Sequence, residues 1–150
     1  MDETRFMNRA IELAKTALKE GEVPVGAVVV FDNEIIGEGY NHREKEHDVS
    51  SHAEIVALKD AAKRKGDWRL SGCSLFVTLE PCLMCSGAIL QSRISSLYFG
   101  ARDEKEGAII SHYFVFDEPS RNERPLVHPD FMKDECESLL KKFFGSRRTK

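Results

Sequence analysis

The sequence predicts a three-layer α/β/α fold on a mixed central sheet, and three observations carry that prediction. Val25 to Phe31 and Glu34 to Tyr40 are apolar, β-branched runs separated only by Asp32-Asn33, the pattern of a β-hairpin. Ser74 to Thr78, Cys82 to Gln91 and Ser95 to Gly100 read as strand, helix, strand, a succession that requires parallel strands and a right-handed crossover. Amphipathic helical patterns stand at both ends of the chain. Antiparallel and parallel pairs in one sheet, with helices enough for both faces, give the layered α/β class.

In chain order, Phe6, Ala10, Leu13, Ala14, Ala17 and Leu18 recur at helical spacing and predict a first helix ending near Gly21. The strand that follows is almost continuously apolar, which predicts burial on both faces. A polar loop, Asn41 to Ser51, leads to a second helix from about His52 to Lys65, with Gly66 as its stop. Pro129 is expected to open the last helix, with Asp130 and Asp134 in its first turn and Gly145 after its end. Its apolar stripe is Met132, Cys136, Leu139, Leu140 and Phe143. From Gly107 to His128, Ile109, Ile110 and Tyr113 to Phe116 fit either a strand or a short helix, and periodicity does not decide.

The 150 residues, 41% hydrophobic and 31% charged, are those of an ordinary soluble globular protein. No repeat, low-complexity tract or linker marks a boundary, so residues 1–150 are expected to form a single domain. No apolar run approaches the roughly 20 residues needed to span a bilayer. The acidic start Met1-Asp2-Glu3 lacks a signal peptide's basic start and apolar middle. A cytoplasmic protein without a membrane is the expectation. Its thiols stay reduced there, and Cys73 and Cys136, among apolar residues, are expected to be buried. A net charge of -3 argues against nonspecific coating of nucleic acid. Lys141, Lys142, Arg147, Arg148 and Lys150 nevertheless form a basic end, either a solvated helix terminus favoured by the dipole or a tail that contacts phosphate.

His52-Ala53-Glu54 precedes Pro81-Cys82-Leu83-Met84-Cys85. One imidazole and two thiolates are three ligands for a tetrahedral Zn2+, leaving the fourth position for water, as catalytic rather than structural sites do. Cys82 and Cys85, three apart, are expected to point to one side of a helix's first turn. Pro81 suits that turn because its missing N–H would have no intrahelical partner, and the helix N-terminus favours the thiolate. Glu54 is the candidate catalytic residue, placed to take a proton from the water. Residues i and i+2 share no helical face, so His52 must sit at the helix edge, where Ser50 and Ser51 offer capping chemistry. Alone, Cys-x-x-Cys is also the pattern of a redox dithiol. His42, His47, His112 or His128 would have to close a structural zinc, but only His52 has a paired carboxylate. His-x-Glu followed by Pro-Cys-x-x-Cys is the signature of zinc deaminases acting on nucleobases.

At these residues the chain resembles the bacterial tRNA-specific adenosine deaminases of the cytidine-deaminase-like superfamily. The likeness also runs through Val23-Pro24-Val25-Gly26-Ala27-Val28, Gly37-Glu38-Gly39-Tyr40-Asn41, Thr78-Leu79-Glu80, Ser92-Arg93-Ile94, and Phe99-Gly100-Ala101-Arg102-Asp103 with Lys105 and Gly107-Ala108. The resemblance implies zinc-dependent conversion of the wobble adenosine in a tRNA anticodon to inosine, one zinc per subunit of a homodimer. On matching positions it implies that Asn41 bonds the flipped base, that Pro24, Val25 and Leu79 line its pocket, and that the Ala53 backbone touches it. It places Asp103, Asn122, Phe143, Phe144, Arg147 and Arg148 beside the anticodon stem-loop. Without the family, Pro24 reads as shaping a strand, Asn41 a turn, and Phe143 the core.

The chain departs from the family pattern at Ile109-Ile110-Ser111-His112-Tyr113, bulky residues where the family carries a small, Gly-Ser segment, and at Glu123, where it tends to carry His. That departure motivates an alternative, a deaminase of a free base or nucleoside such as guanine or cytosine. A third reading is a noncatalytic zinc or interaction module.

Overall fold

The computed structural model describes residues 2–148, with side chains through Gly145. Helix α1 (Thr4–Lys19) is followed by strands β1 (Gly26–Phe31) and β2 (Glu34–Tyr40), a four-residue helix α2 (Arg43–Glu46), and helix α3 (Ala53–Lys65). Strand β3 (Ser74–Leu79), helix α4 (Leu83–Gln91) and strand β4 (Ser96–Ala101) come next. A 3-10 turn (Val115–Asp117), strand β5 (Leu126–His128) and helix α5 (Lys133–Arg148) complete the described chain.

The sheet order is β2-β1-β3-β4-β5. Strand β1 runs antiparallel to β2 and β3, while β3, β4 and β5 are parallel, so the sheet is mixed as expected. Asp32 and Asn33 make the hairpin turn with φ of 51° and 64°, the two left-handed residues that a type I′ turn needs. Helices α3 and α4 cover one face, in a cluster that includes Ala53, Ala57, Val77, Ile89 and Phe99. Helices α1 and α5 cover the other, where Phe6, Ala10, Val28, Phe76, Cys136 and Leu139 meet. On that second face Phe76, Tyr98 and His128 occupy matching register positions, and their rings stack at 4.3 Å and 4.1 Å.

The placement of α3 follows from its smallest residues. Ala53, Ala57 and Ala61 recur every four positions, and β2 presents Gly37 and Gly39 to them. A Cβ on Gly39 would lie 2.5 Å from the Ala53 carbonyl oxygen, and one on Gly37 2.5 Å from that of Ala57. Two glycines two apart on one strand face therefore let the helix backbone rest directly on the sheet.

Three boundaries differ from expectation. The polar loop before α3 contains α2, whose first amides from Glu44 and Lys45 donate to the buried Glu22 carboxylate at 3.1 Å and 2.8 Å. Helix α5 starts at Lys133 rather than Pro129, because Asp130 and Met132 adopt φ of 62° and 55°. Asp130 accepts a bidentate pair from Arg102 at 3.0 Å and 2.9 Å instead of serving a helix turn. Gly145 does not end α5, which continues to Arg148. The undecided stretch from Gly107 to His128 is irregular as far as Phe114, then forms a short 3-10 turn at Val115–Asp117 and ends in β5 at Leu126–His128. Cys73 and Cys136 are buried and free. Among the described residues, no helix is long and apolar enough to cross a membrane.

Candidate metal centre and active site

Two helix N-termini converge at the carboxyl end of β3. His52 occupies the N-cap of α3 with extended φ/ψ of -77° and 152°, and Cys82 the N-cap of α4 with -76° and 179°. Pro81 thus precedes the cap rather than opening the helix, and Cys85 is the third helical residue. N-cap and N3 side chains face each other across the first turn, so the two sulfurs still share one side. Ser50 and Ser51 do not cap α3; the Ser50 N–H and hydroxyl both donate to Asp48 Oδ1, at 2.8 Å and 2.7 Å. With His52 outside the helical spiral, the side chain of Glu54 can turn to the same point.

His52 Nδ1 lies 3.6 Å from Cys82 Sγ and 3.4 Å from Cys85 Sγ. All three ligand atoms fall within 4.8 Å of one another. Sulfur at about 2.3 Å and nitrogen at about 2.1 Å from one tetrahedral ion stand about 3.6 Å apart, so the donor set fits zinc in kind and in spacing. Cys85 and Glu54 are buried, and His52 and Cys82 are partly open, so the cluster has a closed side and an accessible side.

The titration of the group is that of ligands crowded together. The hydrogen bond from Cys85, helped by His52, pulls the Cys82 thiol down to about 4 against the effect of burial. The thiolate so formed, with burial and Glu54 beside it, holds Cys85 far above the usual thiol range. His52 is raised by its bond to Cys82. Burial pushes Glu54 up to about 7. Two thiolates, a carboxylate and a neutral imidazole cannot coexist at this spacing unless a cation sits among them. The arrangement is chemically that of a metal site with a proton-carrying carboxylate against it.

Ala53, between His52 and Glu54, is fully buried, and Val25 and Leu79 belong with it to the apolar cluster beneath α3 and α4. Pro24 is buried beside Val25. Asn41, also buried, donates to the Val23 carbonyl and accepts from the Arg43 amide, each at 3.4 Å. Asp103 opens the segment after β4, its Oδ1 accepting from the Lys105 and Glu106 amides at 3.1 Å and 2.9 Å. The other expected contacts lie elsewhere. Asn122 is in a groove with Arg93, Ser95 and Arg124, at the opposite end of β4 from Cys82. Phe143 is 7% exposed and Phe144 is 47% exposed on α5, across the sheet from the metal cluster. Arg147 and Arg148 are on the last turn of that helix and their side chains lie outside the described residues, as does Lys150. His42, His47, His112 and His128 do not join the cluster.

Glu80 escaped the sequence reading. It is 2% exposed and gathers four backbone amides and a hydroxyl from the segment after β4. Its only signal was its position, a carboxylate between a buried strand and the Pro-Cys turn. Ile109, 3% exposed, packs in the core cluster, with Ile110 against it, so the first half of the bulky departure turns inward, while His112 and Tyr113 stay exposed.

The profile of the MafB19-like deaminase family matches residues 1–148. A tRNA-specific adenosine deaminase of Haemophilus influenzae is 48% identical over 145 residues, 96% of this chain and 84% of that protein. A solved tRNA:A34 deaminase, studied for A-to-I editing at the wobble position, superposes with a TM-score of 0.88 at 40% identity, over 91% of this chain and 99% of the other. A guanine deaminase of Nitrosomonas europaea superposes at 0.76 with 26% identity, over 93% and 83%.

Proposed function

Because the chain belongs to the MafB19-like deaminase family and to its tRNA-specific adenosine deaminases, we propose that it converts the wobble adenosine of a tRNA anticodon to inosine by hydrolytic deamination. The observation that carries this reading is the 48% identity to a tRNA-specific adenosine deaminase over 96% of the chain. In this reading one catalytic domain spans residues 1–150, and His52, Cys82 and Cys85 hold one Zn2+ per subunit.

Zinc on these ligands would supply a polarised water and the charge that lets both thiols ionise. Glu54 does the proton work. Its carboxylate takes a proton from the water whose oxygen adds to C6 of the adenine, and returns it to ring N1. The proton left on the added oxygen passes to the exocyclic nitrogen, the C6–N bond breaks as the C6 carbonyl forms, and ammonia leaves with inosine as the other product. A carboxyl whose burial raises it above the ordinary carboxylate range is suited to receiving a proton as well as returning it. Asn41 and the Ala53 backbone hold the base, with Pro24, Val25 and Leu79 as walls. An anticodon loop suits such a pocket because its bases are already unpaired, and extrusion from a loop costs less than from a duplex. Asp103, Asn122, Phe143, Phe144, Arg147 and Arg148 then contact the RNA away from the target base.

The reading includes the cytoplasm, where the substrate resides, and a homodimer. Leu83 and Met84, on the outer side of the ligand turn, are 53% and 37% exposed, and a second copy against them would bury that apolar surface. Of the 109–113 segment that motivates the free-base alternative, Ile109 faces the core while Tyr113 is exposed, and the experiment below separates the two readings.

The deciding experiment incubates the zinc-loaded protein with tRNA carrying adenosine at the wobble position and reads inosine as A-to-G changes on sequencing. Inosine at that position is expected. Its absence, beside ammonia released from a free base, would replace the proposal with the alternative.

A further inference from the structure

The segment between β4 and β5 carries a pair of aromatic side chains that burial does not explain, although the Tyr113 ring meets that of His112 edge-on at 6.3 Å. Tyr113 and Phe114 are adjacent, 66% and 52% exposed, and both have left-handed backbone, with φ of 58° and 45°. Bulky side chains rarely adopt that backbone, and here neither is repaid by burial. The surrounding chain is anchored on both sides of them. Ile109 and Phe116, each 3% exposed, sink into the cluster that holds Ala53 and Ile89. The Val115 amide donates to the Ala108 carbonyl at 2.9 Å, closing the loop at its base. The Ala108 amide in turn donates to the Pro81 carbonyl at 2.9 Å, fastening that base to the turn that carries Cys82. Glu80, next to Pro81, holds Asp103 and Ile109 to Ser111. The His112 ring bonds the Glu104 carbonyl and braces the crown. Two exposed aromatic rings are thus held out from a rigid base tied to the candidate metal turn.

We infer that Tyr113 and Phe114 form a stacking lip for an unpaired nucleobase next to the target adenosine. The inference rests on the tRNA reading. Withdrawing one base from the anticodon loop strips its neighbours of a stacking partner, and an exposed aromatic face on a segment tied to the ligand turn is suited to replace it. Stacking tolerates any base, because every base has a π face. It also carries no charge, so it is separable from contacts to phosphate, whose strength falls with salt.

The test uses the full-length zinc-loaded protein and a wobble-adenosine anticodon stem-loop, measuring affinity across a salt series for wild type, Y113A/F114A and Y113F/F114Y. The alanine variant is expected to bind about tenfold or more weakly, with the slope of log affinity against log salt unchanged. Zinc content and subunit state should match wild type, and Y113F/F114Y should keep wild-type affinity. Equal affinity of Y113A/F114A and wild type would overturn the lip while leaving the tRNA reading intact. A loss accompanied by conversion to monomers would also overturn it, assigning the pair to a contact between copies. Failure of wild type itself to bind the stem-loop would overturn the tRNA reading and the lip together.

Discussion

Glu80 accepts the Ser111 hydroxyl at 2.6 Å through one carboxylate oxygen, Oε1, which also takes the Asp103 amide at 3.1 Å. Its Oε2 accepts the amides of Ile109, Ile110 and Ser111 at 3.1, 2.9 and 3.0 Å. Burial alone would raise this carboxyl, but the donors together hold it below its ordinary value. One side chain at the end of β3 thereby fixes a segment remote in sequence. Removing it leaves several amides inside without partners, each at about 1–3 kcal/mol. Glu80→Ala is therefore expected to lose roughly 3 kcal/mol or more of stability, read as a lower denaturant midpoint. Faster hydrogen exchange should be concentrated at the amides of 109–111. An unfolding free energy within about 0.5 kcal/mol of wild type, the scale of a neutral surface change, would contradict that role.

Glu54 is expected to oppose stability in the service of chemistry. Burial raises its carboxyl to about 7, above an unfolded value of about 4.3. A raised folded value means a contribution fully present below pH about 4.3 and lost as pH rises through 7. Metal-free Glu54→Gln should therefore be roughly 2–4 kcal/mol more stable than metal-free wild type at pH 8, with the gap closing toward pH 4. The same variant should bind zinc and make no inosine. Retained activity, or a gap independent of pH, would show that Glu54 is neither the proton carrier nor the strained group.

The parts that were legible in the sequence are those set by local chemistry. Asp32-Asn33 announces its turn because both residues tolerate left-handed backbone, and the ligand spacing survives a one-residue shift of the α4 cap. What was not legible is held from a distance. Helix α2 exists because Glu22, twenty-two residues before Glu44, accepts its first amides. The 103–111 segment takes its shape from Glu80, so no local period describes it. Pro129 and Asp130 looked like a helix start, but Arg102 claims the aspartate.

Zinc uptake should release protons. The bond to Cys82 raises His52, which must be neutral to ligate, and Cys85 must ionise although the Cys82 thiolate holds it up. Both requirements make affinity rise with pH. Titration calorimetry in two buffers of different ionisation enthalpy should give different heats at pH 7, corresponding to about one proton or more released per zinc. Identical heats would mean that the ligand set is wrong.

The close seat of α3 on β2 makes Gly39 a lever on the metal site. A Cβ there would meet the Ala53 carbonyl at 2.5 Å and the Ala57 amide nitrogen at 2.7 Å, both backbone atoms that cannot rotate away. Gly39→Ala must therefore lift the start of α3, and His52 with it, away from Cys82 and Cys85. Overpacking of this kind costs about 1–3 kcal/mol. The variant should lose that much stability and bind zinc more weakly. Gly87→Ala in α4, where a new Cβ meets nothing within 4 Å, should instead gain a few tenths to about 1 kcal/mol from helix propensity. Opposite signs for the two glycines would tie the metal geometry to the helix seat; a Gly39→Ala protein with wild-type zinc affinity would show that His52 is positioned independently of it.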